Sequence, residues 1–229
     1  MAILQSILLG EAGFVHGFPE RGVTDGELLE VFGQERVVQV KQVHGARVAD
    51  AGEAPGVEAD ALVARSAAGS VAVGVRVADC VPVLVADTIT GDVAAIHAGW
   101  RGVVAGVVGA AAKRLGGRNL IAAIGPCIEP CCFEVGADVA AAIAKAAPAA
   151  YGTHPARGGR AFIDLRAAVR GQLRDYVGND SQIEDVGGCT KHEPSRFHSF
   201  RRDGANSGRM LAAIVTRPLR HRTAWRVED

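Results

Sequence analysis

A chain of 229 residues with 48% hydrophobic content buries roughly 70–75% of the surface its unfolded form exposes, so one large domain needs no staple. Lysine plus arginine equals aspartate plus glutamate at 25 each, which excludes a global field drawing the chain to nucleic acid or an anionic membrane. Five cysteines are an odd number, and free thiols in a reducing compartment suit them better than a disulfide framework.

The first residues, Met1 to Leu9, are apolar but lack a basic segment and soon meet Glu11, a poor pattern for a signal peptide. No run approaches the roughly 18 apolar residues of a membrane span. The expectation is therefore a cytoplasmic protein without a membrane partner.

Residues 71–77 and 81–86 are β-branched runs that read as strands, and Thr88-Ile-Thr-Gly-Asp92 punctuates a turn before a third run at 93–98. A regular hairpin with its loop at residues 88–91 pairs Asp87 with Asp92 and sets His97 opposite Pro82. Cys80 shares the parity of Pro82, so it lies on the face of His97 as a diagonal neighbour, about 7–8 Å away between backbones. A slip of one residue would separate the two side chains to opposite faces.

His44, in the segment Val40-Lys-Gln-Val-His-Gly45, is the third side chain of this chemistry. Two imidazoles and one thiol close three corners of a tetrahedral zinc site and leave the fourth for water or substrate, the arrangement of catalytic zinc. The competing readings are a buried cysteine beside hydrogen-bonded histidines, or a thiol nucleophile at Cys80 with His97 or His44 as its base.

Helical patterns follow at residues 103–115 and 137–147, and Asp164 caps a third from Leu165 to about Val177 with Leu165, Val169, Leu173 and Tyr176 on its apolar stripe. A last strand covers 210–215. The expected architecture is α+β: a single layered domain over residues 1–229 with a mixed β-sheet and flanking helices, ending in a basic tail at about 217–229. That tail joins arginines to Trp225, yet it reads as a solvated segment and no nucleic-acid partner is assigned to it.

Two segments suit an anion. Gly99-Trp-Arg-Gly102 opens a helix with Arg101 beside it, and Arg201, Arg202 and Arg209 flank the glycine-bearing residues 203–208. Cys127, Cys131 and Cys132 lie between Pro126 and the residues after Pro130 with no histidine among them, so they read as structural thiols rather than a second metal cluster.

Eight blocks carry a resemblance to a known family: Gln42-Val-His-Gly45, Glu58-Ala-Asp-Ala-Leu62, Ala78-Asp-Cys-Val-Pro82, Ile96-His-Ala-Gly-Trp-Arg-Gly102, Ile124-Gly-Pro-Cys-Ile128, Cys132-Phe-Glu-Val-Gly136, Cys189-Thr190, and Phe197-His-Ser-Phe-Arg-Arg202 with Gly208-Arg209. In this order they resemble the YfiH-like family, described as laccase-domain or polyphenol oxidase proteins and as purine nucleoside phosphorylases.

The resemblance implies zinc ligands at His44, Cys80 and His97, with copper the other metal attached to the family. It also implies phosphorolysis of adenosine, inosine, guanosine and methylthioadenosine, together with deamination of adenosine, so the implied partners are a purine nucleoside and phosphate. Two further activities attach to the family: copper-dependent phenol oxidation, and editing of peptidoglycan precursors, which a cysteine or metal hydrolase would perform. Multi-copper centres need many histidines, and the seven here are scattered. The oligomeric state is left between monomer and homodimer. One departure stands out: between His16-Gly-Phe-Pro-Glu-Arg21 and Gln42 only residues 22–41 intervene, so the family's long glycine-rich stretch is strongly shortened and its asparagine-arginine pair is missing.

Overall fold

Apolar runs without polar alternation belong to strands covered on both faces. Val81–Asp87 and its hairpin partner Val93–Ala98 are buried at every position. They form the centre of a mixed six-stranded sheet in the order Ile183–Asp185, Leu120–Ile124, Val81–Asp87, Val93–Ala98, Ala61–Ala64 and Val48–Asp50. The computed structural model describes residues 2–116, 119–148, 154–157 and 160–218. The tail from residue 219 onward, including Trp225, lies outside the described residues.

The two faces of this sheet bury different neighbours because side chains alternate along each strand. Val81, Val83 and Val85 pack with Val107, Leu165 and Val169 on the helical side. Leu84 and Ala86 point the other way, onto Val73, Val75 and Ile214. These last residues belong to a five-stranded sheet ordered Ile3–Leu4, His16–Pro19, Met210–Val215, Ala72–Val77 and Val37–Val38. The outer face of that sheet is covered by the helix Asp25–Phe32 through Leu28 and Phe32. A three-stranded sheet of Glu134–Gly136, Arg160–Phe162 and His154–Arg157 lies apart from both. The layered α+β expectation is met, and the mixed sheet is accompanied by two others that the strand signals did not separate.

Helix boundaries differ from the sequence reading at two places. The pattern over 103–115 is two helices, Trp100–Ala105 and Val107–Leu115, because Gly106 takes a φ of 84° and its N–H turns back to the carbonyls of Gly102 and Val103. A left-handed glycine is the usual end of a helix. The third helix stops at Arg174, where Tyr176 and Val177 both donate N–H groups to the Leu173 carbonyl, so its apolar stripe closes in a turn. Asp164 caps it as expected, accepting from the Ala167 N–H at 2.8 Å.

The N-terminal helix Ile7–Glu11 is too short to hold itself. Glu184 supplies its missing partners: the carboxylate accepts from the Ser6 hydroxyl at 2.6 Å and from the N–H groups of Ile7 at 3.2 Å and Leu8 at 2.8 Å. Burial would raise the Glu184 pKa, but these hydrogen bonds and the neighbouring His16 hold it below its ordinary 4.5. A carboxyl with a lowered folded pKa stabilises the protein above about 4.5 and loses that contribution as the pH falls through the folded value. Replacing Glu184 with Gln is expected to cost about 1–2 kcal/mol, the scale of a lost helix cap, and to lower Tm by roughly 2–8 °C at neutral pH. At a pH low enough to protonate Glu184 the two proteins should melt together; thermal denaturation across pH measures both.

Candidate metal centre

The hairpin register decides the site. Pro82 pairs with His97 and Ala86 with Val93, so Cys80 and His97 share the face that meets the five-stranded sheet. His44 reaches the same point from a loop, and its ring lies edge-on to His97 with centroids 4.7 Å apart. The ligand atoms of His44, Cys80 and His97 all fall within 4.8 Å of one another. The three residues singled out from the sequence converge.

A buried carboxylate organises two of them. Asp60 is fully buried and accepts from His97 Nδ1 at 2.8 Å, from the His44 N–H at 2.8 Å and from the Gly45 N–H at 2.6 Å. Such an acceptor fixes the imidazole tautomer and leaves Nε2 to face a metal. It also holds the loop at His44, whose φ of 63° is uncommon outside glycine. Burial would raise the Asp60 pKa, yet hydrogen bonds from His97 and the two loop N–H groups keep it below its ordinary value.

Cys80 follows a second residue of positive φ, Asp79 at 87°. Three contacts hold Asp79 in place: its carboxylate accepts from the Thr190 hydroxyl and from the Arg201 N–H, each at 2.6 Å, and its carbonyl accepts from the Ile128 N–H at 2.9 Å. Burial alone would push the Cys80 thiol up; hydrogen bonds and charge from His44 and His97 bring it down to about 7. His97 would be lowered by burial, and its bonds to Asp60 and Cys80 raise it to about 9. Thiolate character is what both a metal ligand and a nucleophile require. Gly99 packs closely on the site: a Cβ there would lie 3.0 Å from both Cys80 Sγ and the His44 ring.

The trio lies in a cleft of about 640 Å³, within the range of about 300–1,000 Å³ for small-molecule sites. Trp100, Phe133 and Phe200 line it, as do Arg76, Arg101, Arg201 and Arg209. Arg101 stacks on Trp100 at 4.6 Å, and its helix has only six residues, so its guanidinium rather than the helix terminus is the cationic group on offer. Arg201 extends over Phe133 and donates to the Glu134 carbonyl at 2.8 Å. Arg209 extends over Phe200.

Arg202 departs from the sequence reading. Its guanidinium donates to the carbonyls of Thr190 and Phe197, each at 2.9 Å, and to Asp203 at 2.8 Å, which makes it a brace for the turn rather than a wall of the cleft. Arg76 was missed because it sits inside an apolar strand. Gln42 grips its backbone through two 2.8 Å hydrogen bonds, and the Asp25 carboxylate binds its guanidinium. Asp25 belongs to the short 22–41 segment, so that stretch still serves the cleft. The signal for Asp60 was present in the sequence: one carboxylate inside the apolar run Ala59-Asp-Ala-Leu-Val63 requires a partner.

The thiols differ from expectation in one respect, a histidine beside them. Cys127 is buried, whereas Cys131 and Cys132 meet Cys189 and His192 in a second group whose ligand atoms lie within 4.8 Å of one another.

The model of the family described as multi-copper polyphenol oxidoreductase laccase matches residues 26–217. The chain belongs to this YfiH-like family. A protein named purine nucleoside phosphorylase from Streptomyces coelicolor is 40% identical over 188 residues, covering 78% of this chain and 74% of that protein. One named adenosine deaminase, from an unknown prokaryotic organism, is 36% identical over 197 residues, with 78% of this chain and 74% of that protein covered. Among solved structures, a Neisseria meningitidis protein superposes with a TM-score of 0.71 at 34% identity, covering 84% of this chain and 78% of that one. Among the described residues no helix is long and apolar enough to cross a membrane.

Proposed function

We propose that this chain is a cytoplasmic, zinc-dependent purine nucleoside phosphorylase that also deaminates adenosine, with His44, Cys80 and His97 as the metal ligands. The observation that carries the reading is the convergence of two imidazoles and a thiol on one point of an aromatic and arginine-lined cleft. The donor set fits zinc: borderline-soft, with three protein ligands and a fourth position for water or substrate. Two imidazoles and a thiolate are also the equatorial set of a type-1 copper site, but the trinuclear centre of a multi-copper oxidase draws on many more histidines than the two here.

When bound, the ion supplies Lewis acidity and lowers the pKa of a coordinated water toward about 7, the chemistry that attack at C6 of adenine requires. The chain's own groups do the rest. Asp60 holds His97 in one tautomer and the His44 loop in one shape. Trp100, Phe133 and Phe200 offer flat apolar surface to a purine, and Arg76, Arg101, Arg201 and Arg209 offer charge to phosphate. In phosphorolysis a phosphate oxygen bonds to C1′ of the ribose while the base departs with the electron pair of the broken C–N bond. Positioning that anion is the arginines' task.

Product analysis with adenosine, inosine, guanosine and methylthioadenosine, each with and without phosphate, tests the reading: free base with ribose 1-phosphate is expected only with phosphate, and inosine from adenosine in either case. Replacing Arg101 with Ala should reduce phosphate-dependent base release about 10- to 100-fold, the effect of a lost charge-assisted hydrogen bond, with deamination nearly unchanged. Equal losses would give Arg101 a structural role, and no loss would move phosphate to Arg201 or Arg209.

A second reading rests on the Cys80 thiol, lowered to about 7 beside two imidazoles. Cys80 would then be the nucleophile of an amide hydrolase, a chemistry suited to peptidoglycan precursors. Metal analysis separates the two, because a thiol hydrolase retains activity after complete removal of zinc.

A further inference from the structure

We propose that Cys131, Cys132, Cys189 and His192 hold a second, structural zinc ion, separate from the centre at His44, Cys80 and His97. The four side chains come from two loops that the fold joins directly. Cys127 and Cys189 form a parallel bridge, and the Thr190 N–H donates to the Cys127 carbonyl at 3.0 Å. On one loop the chain curls after Glu129, whose carbonyl accepts from the Cys132 N–H at 2.8 Å. On the other, the Glu193 carboxylate caps the Cys189 N–H at 3.0 Å, and the Glu193 N–H returns to the Cys189 carbonyl at 3.1 Å. That turn brings His192 back to the cysteine three positions earlier.

The distances match a metal better than a disulfide. Cys131 Sγ lies 3.7 Å from Cys189 Sγ and 3.3 Å from His192 Nδ1. A tetrahedral zinc with Zn–S near 2.3 Å and Zn–N near 2.0–2.1 Å separates its sulfurs by about 3.8 Å and sulfur from nitrogen by about 3.5 Å. A disulfide requires about 2.05 Å. Three thiols and one imidazole are a donor set of closed structural zinc sites, with no position left for substrate. Cys132 and Cys189 are buried while Cys131 and His192 are exposed, so the ion would be clamped between the interior and the rim. A zinc bound to three thiolates carries a net negative charge, and the neighbouring Lys191, whose charge reaches Cys132, complements it.

The position also gives the ion a task. One loop carries Ile128 and Phe133 into the cleft; the other carries Thr190, whose hydroxyl holds Asp79 beside Cys80. Binding at the four ligands would tie these two walls together.

Metal analysis and native mass spectrometry of the full chain, expressed with zinc and kept reduced, test the proposal. The wild type should carry about two zinc ions and the Cys80→Ala variant one. Cobalt substituted into the Cys80→Ala variant should give the near-ultraviolet absorption of thiolate ligation, and adding Cys131→Ser or His192→Ala should weaken or remove it together with the remaining ion. Both added changes are at exposed positions, chosen to spare the core. Should a double variant fail to fold, alkylation of the Cys80→Ala protein decides: Cys131 should resist until a chelator is added. A Cys80→Ala protein without zinc, immediate alkylation of Cys131, or a Cys131–Cys189 disulfide in freshly reduced protein would overturn the second site. Loss of the first site alone would appear instead as wild type with one zinc that Cys80→Ala retains.

Discussion

Replacing Cys80 with Ala is expected to abolish metal binding at the His44–His97 centre and to lower both phosphorolysis and deamination by about 1,000-fold or more. The scale follows from the several kcal/mol of charge stabilisation that a catalytic metal contributes, with each 1.36 kcal/mol worth about tenfold. The fold should persist, because Cys80 is only partly buried and precedes rather than joins the strand Val81–Asp87. Zinc stoichiometry, circular dichroism and product assays on the same preparation check all three statements. An unchanged metal content would remove Cys80 from the ligand set. Loss of activity with no zinc in the wild type would favour the thiol nucleophile.

Substituting Asn for Asp60 is expected to weaken metal affinity about 10- to 100-fold, the cost typical of losing the carboxylate behind a ligating histidine. An effect on stability should accompany it. Asp60 is fully buried, and its two oxygens receive the N–H groups of His44 and Gly45 as well as the His97 ring. Asn keeps one acceptor oxygen and turns an NH₂ group toward existing donors, which leaves buried groups unpaired. The expected loss is about 3 kcal/mol, or roughly 6–12 °C in Tm. Competition with a chromophoric chelator gives the affinity and calorimetry gives the melting. Wild-type values for both would mean that the His44 loop and the His97 ring hold themselves.

The two substitutions divide the centre into chemistry and support. Cys80→Ala removes a ligand atom and should leave the Tm of the metal-free protein nearly unchanged; Asp60→Asn keeps every ligand atom and should lower it. A protein that used the trio only for packing would show the same ranking in Tm, because Asp60 is fully buried and Cys80 only partly so, but Cys80→Ala would leave its metal content and activity unchanged.

The central hairpin was legible because its information is local. A turn of fixed length between two β-branched runs sets the register, and side-chain parity then puts Cys80 and His97 on one face. The helix after Asp164 was legible for the same reason, through its cap and the recurrence of apolar residues. The break at Gly106 was not, since a glycine inside a helical pattern either continues or ends the helix according to what packs on it.

Residue chemistry and block order thus determined the α+β class, the family and the three candidate ligands. Tertiary structure decided what surrounds them. It gave Asp60 the His44 loop and the His97 ring to hold, turned Arg202 onto backbone carbonyls, and set Arg76 beside the cleft through Gln42 and Asp25. It also joined Cys131 to Cys189 across 58 residues and Asp79 to Thr190 across 111. Contacts at such separations depend on how strands from distant parts of the chain stack and pair. No local periodicity encodes them, because the same cysteine, arginine or aspartate is a surface group, a brace or a ligand according to which backbone the fold carries to it.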